Sequence, residues 1–305
     1  MAIGLSEKAL LFGHTRSLAG ILTDPPPGAS GEGKPGVVIL NAGLLHRVGP
    51  NRLHVQTARA LAELGFCVLR FDLSGIGDSQ PRQDGTGFRT AALEEIGEAF
   101  DLLADLRGVR RFVLVGICSG ADNGLLAAYH DPRVMGAALI DGYNVPGWRY
   151  ALFFYRHRFL SPRSWARVLL GRSEALGDLM RLASARSKET PRQATSLEVA
   201  LPSHAEYVRQ VRALADRGVP RLLVYTRDSP SQFNYISLLD RPLRAWPSRD
   251  RVSVEHFADS DHLFTLVANQ QRLVRLLTTW ANGLSGALQT AETEPGDGLA
   301  VGLRS

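Results

Sequence analysis

The stretch Phe112-Val113-Leu114-Val115-Gly116-Ile117-Cys118-Ser119-Gly120-Ala121 decides how this chain is read. An apolar run leads into it and a helix-like stretch, Ala121–Tyr129, leaves it, so the segment is strand, sharp turn and helix. Gly116 and Gly120 flank Cys118 symmetrically. Small residues at those offsets permit a strained turn that lifts the central side chain above a sheet edge. Ser119 has no glycine at the matching offset on its C-terminal side. The register therefore makes the Cys118 thiol, not the Ser119 hydroxyl, the candidate nucleophile. A small turn of this kind also serves simply to bury a thiol, so the rest of the chain must decide.

Working outward, apolar runs suited to buried strands lie at Val37–Asn41, Phe66–Asp72, Phe112–Gly116, Met135–Asp141, Arg221–Thr226 and Val252–Phe257. Helix-like stretches separate them at Leu53–Leu64, Thr90–Leu106, Ala121–Tyr129, Ala205–Asp216 and Phe264–Leu284. Continuous apolar runs alternating with amphipathic helices predict an α/β fold, a mostly parallel sheet covered on both faces. Leu10–Gly13 and Ser17–Leu22 read as a leading hairpin, ended by Pro25-Pro26-Pro27 and a glycine-rich linker over 28–36. From Asp141 to Arg221 there are about eighty residues, more than one crossover helix needs. The excess, rich in aromatic residues and arginine, predicts a helical cap. The chain then divides into a first core part (1–142), a cap (143–204), a second core part (205–284) and a polar, disordered tail (285–305).

Composition narrows the function classes. With 45% hydrophobic and 21% charged residues over 305 positions, this is ordinary globular composition. No apolar stretch reaches the length of a membrane span, and the N-terminus lacks the organisation of a secretory signal, so a cytoplasmic location is expected. Two cysteines, Cys67 and Cys118, give neither a disulfide framework nor a zinc site, and no cofactor is called for. The net charge of +5 comes mostly from arginines scattered without a nucleic-acid-binding motif. Arg149 to Arg192 stands apart, with ten basic residues against three acidic ones. Such a run is a solvated helical face or a surface for an acidic partner.

A catalytic cysteine needs a base, and the base needs an orienting group. His262 follows the last predicted strand and precedes the last predicted helix, which puts it on the sheet edge where Cys118 emerges. Asp228 follows the strand Arg221–Thr226 on the same edge. The order nucleophile, acid, base is then Cys118, Asp228, His262. Asp259 and Asp261 are nearer to His262 in sequence, but close loop neighbours rarely face the same imidazole nitrogen, and Asp261 reads as loop-shaping. An oxyanion hole requires two convergent backbone N–H groups. One is assigned to Ser119, through its backbone alone. The other is assigned to the loop after the first parallel strand, at Gly43 with Leu44 as second choice. The N-terminal end of the helix after Cys118 favours a thiolate there.

Taken together, Val37–Gly43, Leu69-Arg70-Phe71-Asp72-Leu73-Ser74-Gly75-Ile76-Gly77-Asp78-Ser79, the elbow and the Asp-His before the last helix resemble the α/β-hydrolase superfamily. More narrowly the chain is similar to the serine-aminopeptidase-like branch with its exosortase-associated hydrolases. The stretch from Phe71 to Ser79 resembles that branch's D-x-x-G-x-G-x-S turn. The segment from Asn41 to Arg52 is similar to the loop after the first core strand in the exosortase-associated members. The resemblance spans about Leu10 to Leu284 and implies an α/β-hydrolase fold with an inserted cap. Two departures stand out. Asn41-Ala42 occupies the place of a common His-Gly, and Cys118 that of a serine. Cysteine elbows occur in the superfamily in dienelactone-hydrolase-like enzymes and in acyl shuttles, which shifts the expectation away from ordinary serine protease or lipase activity.

A cysteine forms a thioester acyl-enzyme, which retains the reactivity of a thioester substrate. The leading expectation is a hydrolase of a thioester, ester or lactone using a Cys-His-Asp triad on a small acyl substrate. The alternative is an acyltransferase acting on phosphopantetheine- or CoA-bound thioesters, for which a basic cap would suit an acidic acyl carrier protein. A non-catalytic binding module on the same scaffold is the third reading.

Overall fold

The computed structural model describes residues 4–29, 31, 33–142, 203–227 and 251–293. Eight strands form one sheet: β1 (Ser6–Phe12), β2 (Leu18–Asp24), β3 (Gly36–Leu40), β4 (Val68–Phe71), β5 (Phe112–Ile117), β6 (Val134–Ile140), β7 (Arg221–Thr226) and β8 (Val252–Phe257). Their spatial order is β1-β2-β4-β3-β5-β6-β7-β8. β1–β2 and β2–β4 are antiparallel, and every later pairing is parallel. The connecting helices are α1 (Leu53–Glu63), α2 (Phe88–Arg107), α3 (Ser119–His130), α4 (His204–Asp216) and α5 (Val267–Thr293).

The central strands are apolar on both faces because both faces are covered. Successive side chains of a strand point to opposite sides, and the two cores divide accordingly. Val38, Leu40, Phe112 and Leu114 join Ile96 and Phe100 of α2, Leu125 of α3 and Val211 of α4. Val37, Ile39, Val113 and Val115 join Leu53 and Leu61 of α1 with Leu273 and Leu277 of α5. Phe100 of α2 stacks on Phe112 of β5 with centroids 4.4 Å apart. Burying a phenylalanine of this kind contributes roughly 1.5–3 kcal/mol. Strand β5 thus sits at the middle of the sheet, gripped from both sides, and the turn at its C-terminal end rests on a firm base.

The predicted parallel strands match their observed positions closely, and the ends differ in instructive ways. The hairpin strands β1 and β2 run further out than the apolar pattern suggests. Glu7 on the outer part of β1 pairs with Arg59 of α1 and Arg70 of β4, so ion pairs hold what burial does not. Helix α3 begins at Ser119, directly behind the elbow. Helix α5 continues to Thr293, past the predicted start of the tail at 285. Almost all of the predicted cap, 143–202, lies outside the described residues. Where the chain resumes, Ser203 caps α4, its side chain accepting from the Glu206 N–H. Among the described residues, no helix is long and apolar enough to cross a membrane.

Candidate active site

Between β5 and α3 the backbone turns at Cys118 with φ 57° and ψ −123°. That region is hostile to an L-residue and costs on the order of 1–3 kcal/mol. The surroundings impose it. A Cβ on Gly116 would stand 2.2 Å from the Gly120 carbonyl oxygen, and one on Gly120 would stand 2.4 Å from the Asn41 carbonyl oxygen. Both glycines are therefore steric necessities of the turn, as their symmetric spacing suggests. The Cys118 N–H donates to Ile140 O at 2.8 Å, and Cys118 O accepts from Ala121 and Asp122 at 2.9 and 3.2 Å. The thiol is left half-buried at the C-terminal edge of the sheet.

His262 lies in the loop between β8 and α5. Its Nδ1 donates to Asp141 Oδ2 at 2.8 Å, and the Cys118 thiol lies near enough to act on the same ring. The Asp141 hydrogen bond first, then the Cys118 thiol, push the imidazole up to about 10 from its ordinary 6.5, against the opposing effect of burial. The structure thus lines up thiol, imidazole and carboxylate as Cys118, His262 and Asp141. Asp259 faces Arg272 at 3.4 Å, and Asp261 accepts from the Thr265 N–H at 2.8 Å. Neither orients the imidazole.

The carboxylate on His262 is not the expected one. Asp228 lies outside the described residues, and Asp141, at the end of β6, holds Nδ1. Asp141 has a positive φ of 48°, which turns its side chain off the strand and over the sheet edge. Its Oδ1 accepts from Thr226 N at 2.8 Å and its Oδ2 from Thr226 Oγ1 at 2.6 Å. The end of β7 therefore presents Asp141 to the His262 imidazole. A signal for it exists in the sequence: a carboxylate at the C-terminal end of a wholly apolar strand, next to the strand that carries the elbow. Taken as the strand's last residue, Asp141 reads as no more than punctuation.

The loop after β3 approaches from the other side. Gly43 has a φ of 58°, and its N–H donates to Ser119 Oγ at 2.9 Å. The two residues assigned to the oxyanion hole are thus in contact, though through the serine side chain. Leu44, the second choice, is exposed beside them. The loop is anchored by Asn41, whose Nδ2 donates to Leu45 O at 2.9 Å and Asp72 Oδ1 at 3.1 Å, while its Oδ1 accepts from Leu73 N at 2.8 Å. An amide, with donor and acceptor on one planar group, fits this position well.

Asp72 also explains the glycine-rich turn after β4. Its side chain is fully buried and accepts from the Arg47 N–H at 2.5 Å and the Asp78 N–H at 3.1 Å, and it is paired with the Arg47 guanidinium. Gly77 leaves the space for it, since a Cβ there would stand 2.3 Å from Asp72 Oδ2. Ser79 closes the turn by donating to Asp72 O at 2.6 Å and accepting from Ala19 N at 2.8 Å. The motif is a brace that ties the Gly43 loop to the sheet.

Comparison with known proteins agrees with this architecture. The model of the Alpha/beta hydrolase family matches residues 37–276. Among curated proteins, none matches the chain in sequence. Similar solved structures include proline iminopeptidase of Mycobacterium smegmatis (16% identity, TM-score 0.53, covering 92% of this chain and 99% of that one). An esterase of Pyrococcus furiosus aligns at 13% identity and TM-score 0.56, over 93% and 92%. Dienelactone hydrolase of Anabaena variabilis aligns at 16% identity and TM-score 0.53, over 92% and 98%. At these identities the likeness is one of fold.

Proposed function

Given that the chain belongs to the alpha/beta hydrolase family, we propose that it is a cysteine hydrolase cleaving a thioester, activated ester or lactone through an acyl-enzyme on Cys118. The observation that carries this reading is the line from the Cys118 thiol through His262 to the buried Asp141 carboxylate. The Asp141 carboxylate, first among the causes that raise the imidazole to about 10, stabilises its charged form, as a base that takes up a proton during the reaction requires. The Cys118 thiol rather than the Ser119 hydroxyl is the attacking group, because Cys118 holds the strained position between the two glycines that the turn requires.

In the proposed cycle, His262 holds the proton of the thiol and the sulfur attacks the acyl carbon. A tetrahedral oxyanion forms and is met by donors from the elbow and the Gly43 loop. Collapse expels the leaving group, which takes the His262 proton, and leaves a thioester on Cys118. Water, losing a proton to His262, then attacks that thioester and the thiol is released. Asp141 keeps the ring oriented throughout and stabilises its charged form. Leu44 and Leu45 on one side and Leu263, Leu266 and Val267 on the other are exposed around the site. The two loops are tied together by Asn51 Nδ2 donating to Leu263 O at 3.0 Å. This apolar rim supports an apolar acyl group as substrate.

The test is a set of short- and medium-chain acyl-thioesters, read by intact-protein mass. The expected result is an acyl adduct that maps to Cys118 and decays with release of free acid. Decay only on addition of an acceptor thiol would identify acyl transfer instead. An adduct that survives Cys118→Ala would overturn the assignment.

A further inference from the structure

We infer that the Ser119 hydroxyl is a catalytic donor in the oxyanion hole, bridging the Gly43 N–H to the oxyanion. This rests on the proposal that Cys118 is acylated. The backbone N–H groups of Gly43 and Ser119 are the expected donors of such a hole, but the Gly43 N–H already donates to Ser119 Oγ at 2.9 Å. An oxyanion could reach Gly43 N–H only by displacing that oxygen. A hydroxyl offers two acceptor positions and one donor proton. With one lone pair taken by Gly43, the proton can turn toward the substrate oxygen above Cys118 without breaking the existing bond. Gly43 N–H then polarises the hydroxyl that serves the oxyanion, and hydrogen bonds arranged in such a chain strengthen one another.

The placement of Ser119 fits this role. It is the first residue of α3, immediately after the nucleophile, so its side chain cannot drift from the reacting carbon without moving the elbow. The Gly43 loop is held against it from behind by Asn41 and the Asp72–Arg47 pair. A developing oxyanion is a stronger acceptor than a ground-state carbonyl, and a donor to it acts mainly on the barrier.

The experiment compares two reactions of Cys118 in wild type, Ser119→Ala and Ser119→Thr. Acylation by a thioester passes through an oxyanion, whereas alkylation by iodoacetamide does not. Removing one oxyanion donor costs up to about 100- to 1000-fold in rate, and with the Ser119 N–H retained we expect Ser119→Ala to acylate roughly 10- to 100-fold more slowly. Alkylation should be unchanged, and Ser119→Thr, which keeps a hydroxyl, should recover most of the acylation rate. Acylation by Ser119→Ala as fast as wild type, or faster, would show that the hydroxyl merely plugs the hole and would overturn the inference. A parallel fall in alkylation would overturn it too, since the side chain would then be acting on the thiol. Failure of the underlying reading looks different: Cys118→Ala would still be acylated.

Discussion

Two aspartates end strands on the same sheet edge, with two strands between them, in nearly the same way. Asp72 follows β4 and Asp141 follows β6, and the side chain of each is 0% exposed. Each accepts several hydrogen bonds, and each needs a positive partner to be tolerated in the interior. They differ in what that partner is. Asp72 faces the Arg47 guanidinium, a charge that never leaves, with Asp78 beyond it. Asp141 faces His262, whose charge comes and goes with a proton. A buried carboxylate on arginine is a brace. The same group on a histidine beside a thiol can do chemistry.

The largest effect expected is at the end of the second chain of contacts. Cys118→Ala should reduce turnover by about ten-thousand-fold or more and abolish thioester adducts, with little change in thermal unfolding. Next comes Asp141→Asn, which should lower turnover by roughly a hundred- to ten-thousand-fold, because an amide can hold the ring in the wrong tautomer. Asp228→Asn should cost far less. If Asp228→Asn proved the damaging change, the Asp141–His262 contact would be structural and the contrast between the two aspartates would collapse.

Asp72→Ala should behave in the opposite way. Leaving Asn41 Nδ2, the Arg47 N–H and the Asp78 N–H without their buried acceptor should cost about 3 kcal/mol of stability, read as a lower urea midpoint. The iodoacetamide rate per folded molecule should stay near that of wild type. Gly77→Ala should reproduce part of the loss, since its Cβ would collide with the Asp72 carboxylate at a positive φ of 54°. Turnover per folded molecule lost at Asp72 and kept at Asp141 would reverse the comparison.

How much of this is legible in the sequence depends on the same physics. The parallel strands are legible because strands covered on both faces are written as unbroken apolar runs. The elbow is legible because two close backbone approaches each demand a glycine, at Gly116 and Gly120. The position of His262 comes from the rule that loops after parallel strands share one edge. The carboxylate on His262 is only half legible, because several strands end with a carboxylate on that edge, and what selects Asp141 is a positive φ and the two donors of Thr226. Neither is written in a local pattern. The contact between Gly43 and the Ser119 side chain is equally hidden, since it depends on how two loops far apart in sequence meet.

The remaining effect is the one that reads the proton directly. With the imidazole raised from 6.5 to about 10 in the folded protein, His262 binds a proton more tightly there than in the unfolded chain. Its contribution to stability is therefore complete below about pH 6.5 and is lost as pH rises toward 10. The urea midpoint of wild type relative to His262→Ala should be highest near pH 6, fall through pH 8 and level off above 10. Because Asp141 is the first cause of the shift, Asp141→Asn should complete the same fall at a lower pH. Arg47 keeps its charge over this range, so the midpoint difference between wild type and Asp72→Ala should stay nearly flat from pH 6 to 10. A flat curve for His262 as well would mean that its proton does not track folding, and the two aspartates would then differ only in geometry.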